Sequence, residues 1–103
     1  VPAGHAGSSP RHRTLMRFLV RLLVSAAHYC RGVGEVERLE PLLDEAEALA
    51  RRCGNGNALR EVLDFRGVMA LERDDLVSAR QYFSACEAAM AGADDAWTWD
   101  RAD

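Results

Sequence analysis

Apolar residues along this chain recur at steps of three and four, the spacing that places side chains on one stripe of an α-helix. The clearest run is Leu76, Ala79, Phe83, Cys86 and Met90, which predicts an amphipathic helix. Just before it, two stripes run side by side: Leu59, Leu63, Gly67, Ala70 and Leu71, and Ala58, Val62, Phe65 and Met69. A helix with two apolar stripes is covered on more than one side, so this segment is expected to be an inner helix. Arg73, Asp74 and Asp75 break the pattern between the two, with Asp75 placed to cap the helix that follows. The product is an antiparallel helical hairpin.

The first half of the chain repeats this plan. Residues 14–31 are the most apolar stretch, with Leu15, Phe18, Leu19, Leu22 and Val24, interrupted on one side by Arg13, Arg17 and Arg21. Those arginines leave an apolar run far shorter than the ~20 residues that a bilayer requires, so a buried helix with one wet edge is expected rather than a membrane span. Gly32 and Gly34 stop it. Val36, Leu39, Leu43, Ala46, Ala50 and Cys53 then form a second stripe, whose regular helix is expected to start near Leu39 because Pro41 sits best in a first turn. Asn57 is the expected cap of the next helix. Laying Gly34-Glu35 on Asp74-Asp75 gives an offset of forty residues, which also superimposes Ala27 on Gly67, Leu39 on Ala79, Leu43 on Phe83 and, further on, Leu59 on Trp99.

The predicted fold class is therefore all-α, two antiparallel helical hairpins over about 14–53 and 57–92. A Gly-, Ala-, Ser- and Pro-rich linker over 1–13 precedes them, and the start of a third inner helix over 96–103 follows. That unfinished helix, and a first residue other than methionine, suggest a piece of a longer protein. With 103 residues the chain can bury about two thirds of its unfolded surface, and its apolar content of 49% is that of a folded domain.

Charge changes the picture in one respect. The formal net charge of −3 argues against a nucleic-acid binder, which needs a basic excess to displace phosphate counterions. Yet the first 31 residues hold five arginines and no acid, while the rest hold eight arginines and sixteen acids. Arg13, Arg17 and Arg21 on one helix and Glu37, Glu40, Asp44 and Glu47 on the next are expected to be solvated faces that partly pair with each other. Cys30, Cys53 and Cys86 lie too far apart for a metal or redox motif, and are expected to be small apolar fillers in a reducing, cytoplasmic setting. His28 and Cys30 are two residues apart on a helix and point in different directions, which rules out a thiol–base pair. No catalytic residue, metal ligand or cofactor is implied.

The second hairpin resembles a tetratricopeptide repeat in its small residue midway along the first helix (Gly67), its tight acidic turn (Asp74-Asp75), and its small, aromatic, small series Ala79, Phe83, Cys86. It departs from the family at Arg66, Ala70 and Cys86, where leucine, tyrosine and alanine are usual. Gly67 would let two backbones approach and Phe83 would fill the groove beside it, so Gly67→Leu is expected to overpack and Gly67→Ala to be tolerated, as Ala27 stands at the matching place. Forty-residue repeats with connectors such as Arg52-Cys53-Gly54-Asn55 resemble the helical arrays of large bacterial transcription regulators of the MalT and AfsR kinds. The chain holds neither a glycine-rich phosphate loop with its lysine nor a helix-turn-helix with a basic reading helix.

The resemblance implies binding of a peptide or protein segment, or alternatively of a small effector, through the exposed side of the inner helices. That side would present Arg21, His28 and Arg31 from the first hairpin and Glu61, Asp64, Val68 and Glu72 from the second. Chaperone-binding members carry lysine and asparagine where Asp64 and Val68 stand, so capture of a chaperone's C-terminal carboxylate is not expected. Two repeats leave the stripe near Phe83 and Met90 without a following helix, and Trp97 and Trp99 add apolar surface there. A homodimer through that edge is the expected consequence.

Overall fold

The computed structural model describes residues 10–91, which form four α-helices with no strand among them: α1 Pro10–Val33, α2 Val36–Cys53, α3 Gly56–Glu72 and α4 Leu76–Ala91. The all-α expectation holds. α1 packs on α2 and α3 on α4 as two hairpins, with α2 and α1 both touching α3. Trp97, Trp99 and the expected third helix lie outside the described residues.

Helix ends differ from expectation in three places, each for a local reason. α1 begins at Pro10 rather than Thr14, because proline has no N–H to lose in a first turn and its fixed φ suits a helix start. Four residues assigned to the linker are thus helical. α2 begins at Val36, so Pro41 lies inside it, on an exposed side of the second turn, where only the carbonyl of Glu37 forgoes a partner. α3 is capped by Asn55 and not by Asn57: the Asn55 side chain accepts a hydrogen bond from the Ala58 N–H at 3.0 Å. Asn57 sits two residues too late, inside the first turn, and its amide nitrogen is buried without a hydrogen-bond partner.

Both hairpins turn in the same way. After α1, Gly34 takes a left-handed conformation (φ 83°), the Glu35 N–H donates to the Cys30 carbonyl at 2.8 Å and the Gly34 N–H to that of Arg31 at 3.3 Å. After α3, Asp74 does so (φ 59°), with the Asp75 N–H on the Ala70 carbonyl at 2.9 Å and the Asp74 N–H on that of Leu71 at 3.0 Å. This paired closure satisfies carbonyls that a helix end would otherwise orphan. Every donor and acceptor in the second turn lies forty residues after its counterpart in the first.

The core sits between α1, α2 and α3. Val20, Val24 and Ala27 meet Leu39, Leu43, Ala46 and Ala50, and α3 adds Ala58, Val62 and Phe65. Buried residues face several sides of α3, as its two stripes predict. From α4 only Ala79 is buried. At the α3–α4 crossing Gly67 lies directly under the Phe83 ring, and a Cβ built there would stand 2.7 Å from Phe83 Cε1. The expected tolerance of Gly67→Ala is therefore corrected: an added methyl group fits only if the ring moves.

Two further readings change. α1 is not a buried helix with one wet edge; Leu15, Phe18, Leu22 and Tyr29 form an outward apolar stripe opposite its buried face. The acidic face of α2 does not simply stand in solvent either. Arg66, buried in α3, reaches Glu40 at 3.2 Å, Asp44 at 2.6 Å and, through Nε, Glu47 at 3.3 Å. Burial works against the Arg66 charge, but hydrogen bonds to Asp44 and Tyr82 and the fields of Glu40 and Glu47 outweigh it and leave its pKa raised. The arginine that stands where the resembled family usually has leucine thus ties α3 to α2.

Candidate functional site

α1 and α3 run side by side with their C-terminal ends together, and a groove of about 300 Å³ lies between them. Because one helix turn carries a residue back to the same face, α1 offers Val24, His28 and Arg31 to this groove, and α3 offers Glu61, Asp64 and Val68. Five of the seven expected ligand-face residues, namely His28, Arg31, Glu61, Asp64 and Val68, are brought together here. Glu72 lies one turn further on, where it pairs with Arg31 and closes that end. Arg21 is exposed on α1, outside the residues that line the groove.

Four lining residues were missed from the sequence: Val24, Arg60, Phe65 and Met69. Phe65 and Met69 were placed with the core, and they do pack against it, yet each also presents part of its surface to the groove. Phe65 further holds the His28 ring in a tilted contact, with centroids 4.5 Å apart and an interplanar angle of 53°. An aromatic placed one turn before Val68 and Met69 was the available signal.

The two walls differ in charge. α1 contributes one cation, Arg31, which is paired with Glu72; α3 contributes the carboxylates of Glu61 and Asp64, with Arg60 beside them. The floor of Val24, Phe65, Val68 and Met69 is apolar. On the far side of α3, Cys86 donates to the Arg60 carbonyl at 3.6 Å, and burial, aided by the Asp64 charge, pushes its thiol pKa up. That thiol is protonated and a poor nucleophile. Cys30 is buried and His28 exposed, so they point to different sides of α1. No group of three or more His, Cys, Asp or Glu side chains among the described residues is placed to hold a metal ion.

A second cleft, of about 440 Å³, continues beyond the Arg31–Glu72 pair, with Val36, Leu39 and Met69 as its apolar lining and Arg73 at its edge. No helix among the described residues is long and apolar enough to cross a membrane. Of the expected self-association residues, Phe83 is half-buried against Gly67 and Met90 is exposed on α4. No protein-family model, no curated protein and no solved structure matches the chain.

Proposed function

We propose that this chain is a non-catalytic, cytoplasmic tetratricopeptide-like module that binds a peptide or protein segment in the α1–α3 groove, and that it serves within a larger bacterial transcription regulator. The observation that carries the binding reading is the groove itself, an apolar floor with Arg31 on one wall and Glu61 and Asp64 on the other. Such a surface favours a segment that lays one or two apolar side chains on Val24, Phe65 and Val68 while its own charges of both signs meet Arg31, Glu61 and Asp64. At about 300 Å³, and open along its length, the groove is at the lower limit for enclosing a small effector, which favours a chain laid across it. The regulator context rests on the resemblance of the repeats alone.

Selection of binders from a random peptide display library tests the reading. Selected peptides are expected to lose at least tenfold in affinity for Val68→Glu, a change at an exposed position that leaves the core intact. Undiminished affinity for that variant would overturn the groove assignment. A large thermal stabilisation by a single small metabolite, with no peptide selected, would favour the effector reading instead.

A further inference from the structure

Two apolar stripes on this molecule face outward, one at each end of the helical array. On α1, Leu15, Phe18 (58% exposed), Leu22 (51%) and Tyr29 form the first. On α4, exposed Leu76 (67%) and Met90 (41%) form the second, on either side of Phe83, whose ring turns in against Gly67.

The forty-residue equivalence relates these stripes to a contact that the molecule already makes. Moving Phe18, Leu22 and Tyr29 forward by forty gives Ala58, Val62 and Met69, which α3 packs into the core it shares with the first hairpin. Moving Val36, Leu43 and Ala50 forward gives Leu76, Phe83 and Met90; Leu43 and Ala50 are fully buried in that same core. The outer face of α1 therefore corresponds to the side of α3 that receives α2, and the outer face of α4 corresponds to the side of α2 that is received.

We propose that a second copy of this chain docks head to tail, its α4 edge on the outer face of α1, so that the helical array continues across the boundary between copies. Charge favours this arrangement over the alternatives. α1 carries five arginines and no acid, so two copies meeting through their α1 faces repel. Residues 56–91 hold four arginines against six acids, and an acidic second hairpin attracts a basic first helix. The contact joins two different faces and leaves each end free for another copy, so assembly grows with concentration rather than stopping at a two-fold dimer.

Sedimentation velocity over a concentration series, on the full chain, tests the proposal. Wild type is expected to rise past the mass of a dimer. Phe18→Glu blocks only the α1 face and Leu76→Glu only the α4 face, so each alone should be monomeric, with association weakened at least tenfold. An equimolar mixture of the two retains one intact face of each kind and should form dimers and nothing larger. Should either variant lose its helical circular dichroism, Leu22→Glu and Met90→Glu replace it on the same faces. Dimers of Leu76→Glu alone would show a two-fold contact through α1, and dimers of Phe18→Glu alone one through α4; either overturns the head-to-tail mode. A monomeric wild type overturns self-docking altogether, and if that monomer sediments with phosphatidylserine vesicles while Phe18→Glu does not, the α1 stripe meets a lipid surface instead.

Discussion

α2 and α4 hold the same place in their hairpins and bury very different amounts of surface. α2 lies between α1 and α3, and Leu39, Leu43, Ala46, Ala50 and Cys53 are all buried. α4 touches α3 on one side, and Ala79 alone is buried. The larger side chains belong to α4, since Phe83 and Met90 stand where α2 has Leu43 and Ala50. Burial in a stacked array thus follows the number of neighbours an element has, and not the hydrophobicity of its own stripe.

The largest expected effect tests this contrast directly. Leu43→Ala should cost about 2–5 kcal/mol, as for a fully buried leucine whose site cannot collapse. Phe83→Ala removes a larger side chain and should cost less, about 1–2 kcal/mol, because a phenylalanine that keeps part of its surface in water gains only part of the ~1.5–3 kcal/mol that full burial provides. Urea denaturation of dilute protein checks both. Equal costs would mean that α4 is covered in solution as fully as α2.

The crossing points of the two hairpins supply the next test. Ala27 and Gly67 are matching positions, and the second has the Phe83 ring pressed on it, where the first hairpin has Leu43 at the position matching Phe83. Gly67→Leu should cost about 1–3 kcal/mol by overpacking. Gly67→Ala gains about 1 kcal/mol of helix propensity and must displace the Phe83 ring; it should be net destabilising, whereas in the Phe83→Ala background the same change should stabilise. A raised melting temperature for Gly67→Ala alone would show that the ring moves aside freely.

The smallest expected effect separates the two turns. Asp75 is held below the usual carboxylate range by hydrogen bonds from Ser78, first its hydroxyl and then its backbone N–H at 3.1 Å. A carboxylate whose pKa is lower folded than unfolded adds stability above its unfolded pKa of ~3.9, and that stability is lost as pH falls through the folded value. Glu35, at the matching position, makes no such cap bond. Acid unfolding monitored by circular dichroism should therefore lose part of its steepness in Asp75→Asn and keep it in Glu35→Gln. Identical acid limbs for wild type and Asp75→Asn would remove the cap from the account.

Much of this architecture was legible from residue spacing. The inner position of α3 followed from its paired stripes and the turns at Gly34 and Asp74 from glycine and acidic breaks, whereas the five groove residues followed only from the resemblance to a repeat family that binds through its inner helices. The helix starts were less legible, because Pro10, Pro41 and Asn55 each satisfy local rules that apply equally well to a neighbouring residue. Arg66 was hardest. Its spacing marks it only as a break in an apolar pattern, and its three carboxylate partners lie 19 to 26 residues earlier on another helix.

Periodicity, capping and turn chemistry act over a few residues, and for that reason the amino-acid order alone settled the helices, their faces and the forty-residue recurrence. Which faces are buried depends on partners distant in the chain. The same kind of apolar stripe is core in α2, exposed on the outer side of α1 and only partly covered in α4, and Phe65 and Met69 serve the core and the groove together. Only the packing of α3 between its neighbours decided those assignments, because a stripe records that a side chain gains by leaving water and not which surface removes it.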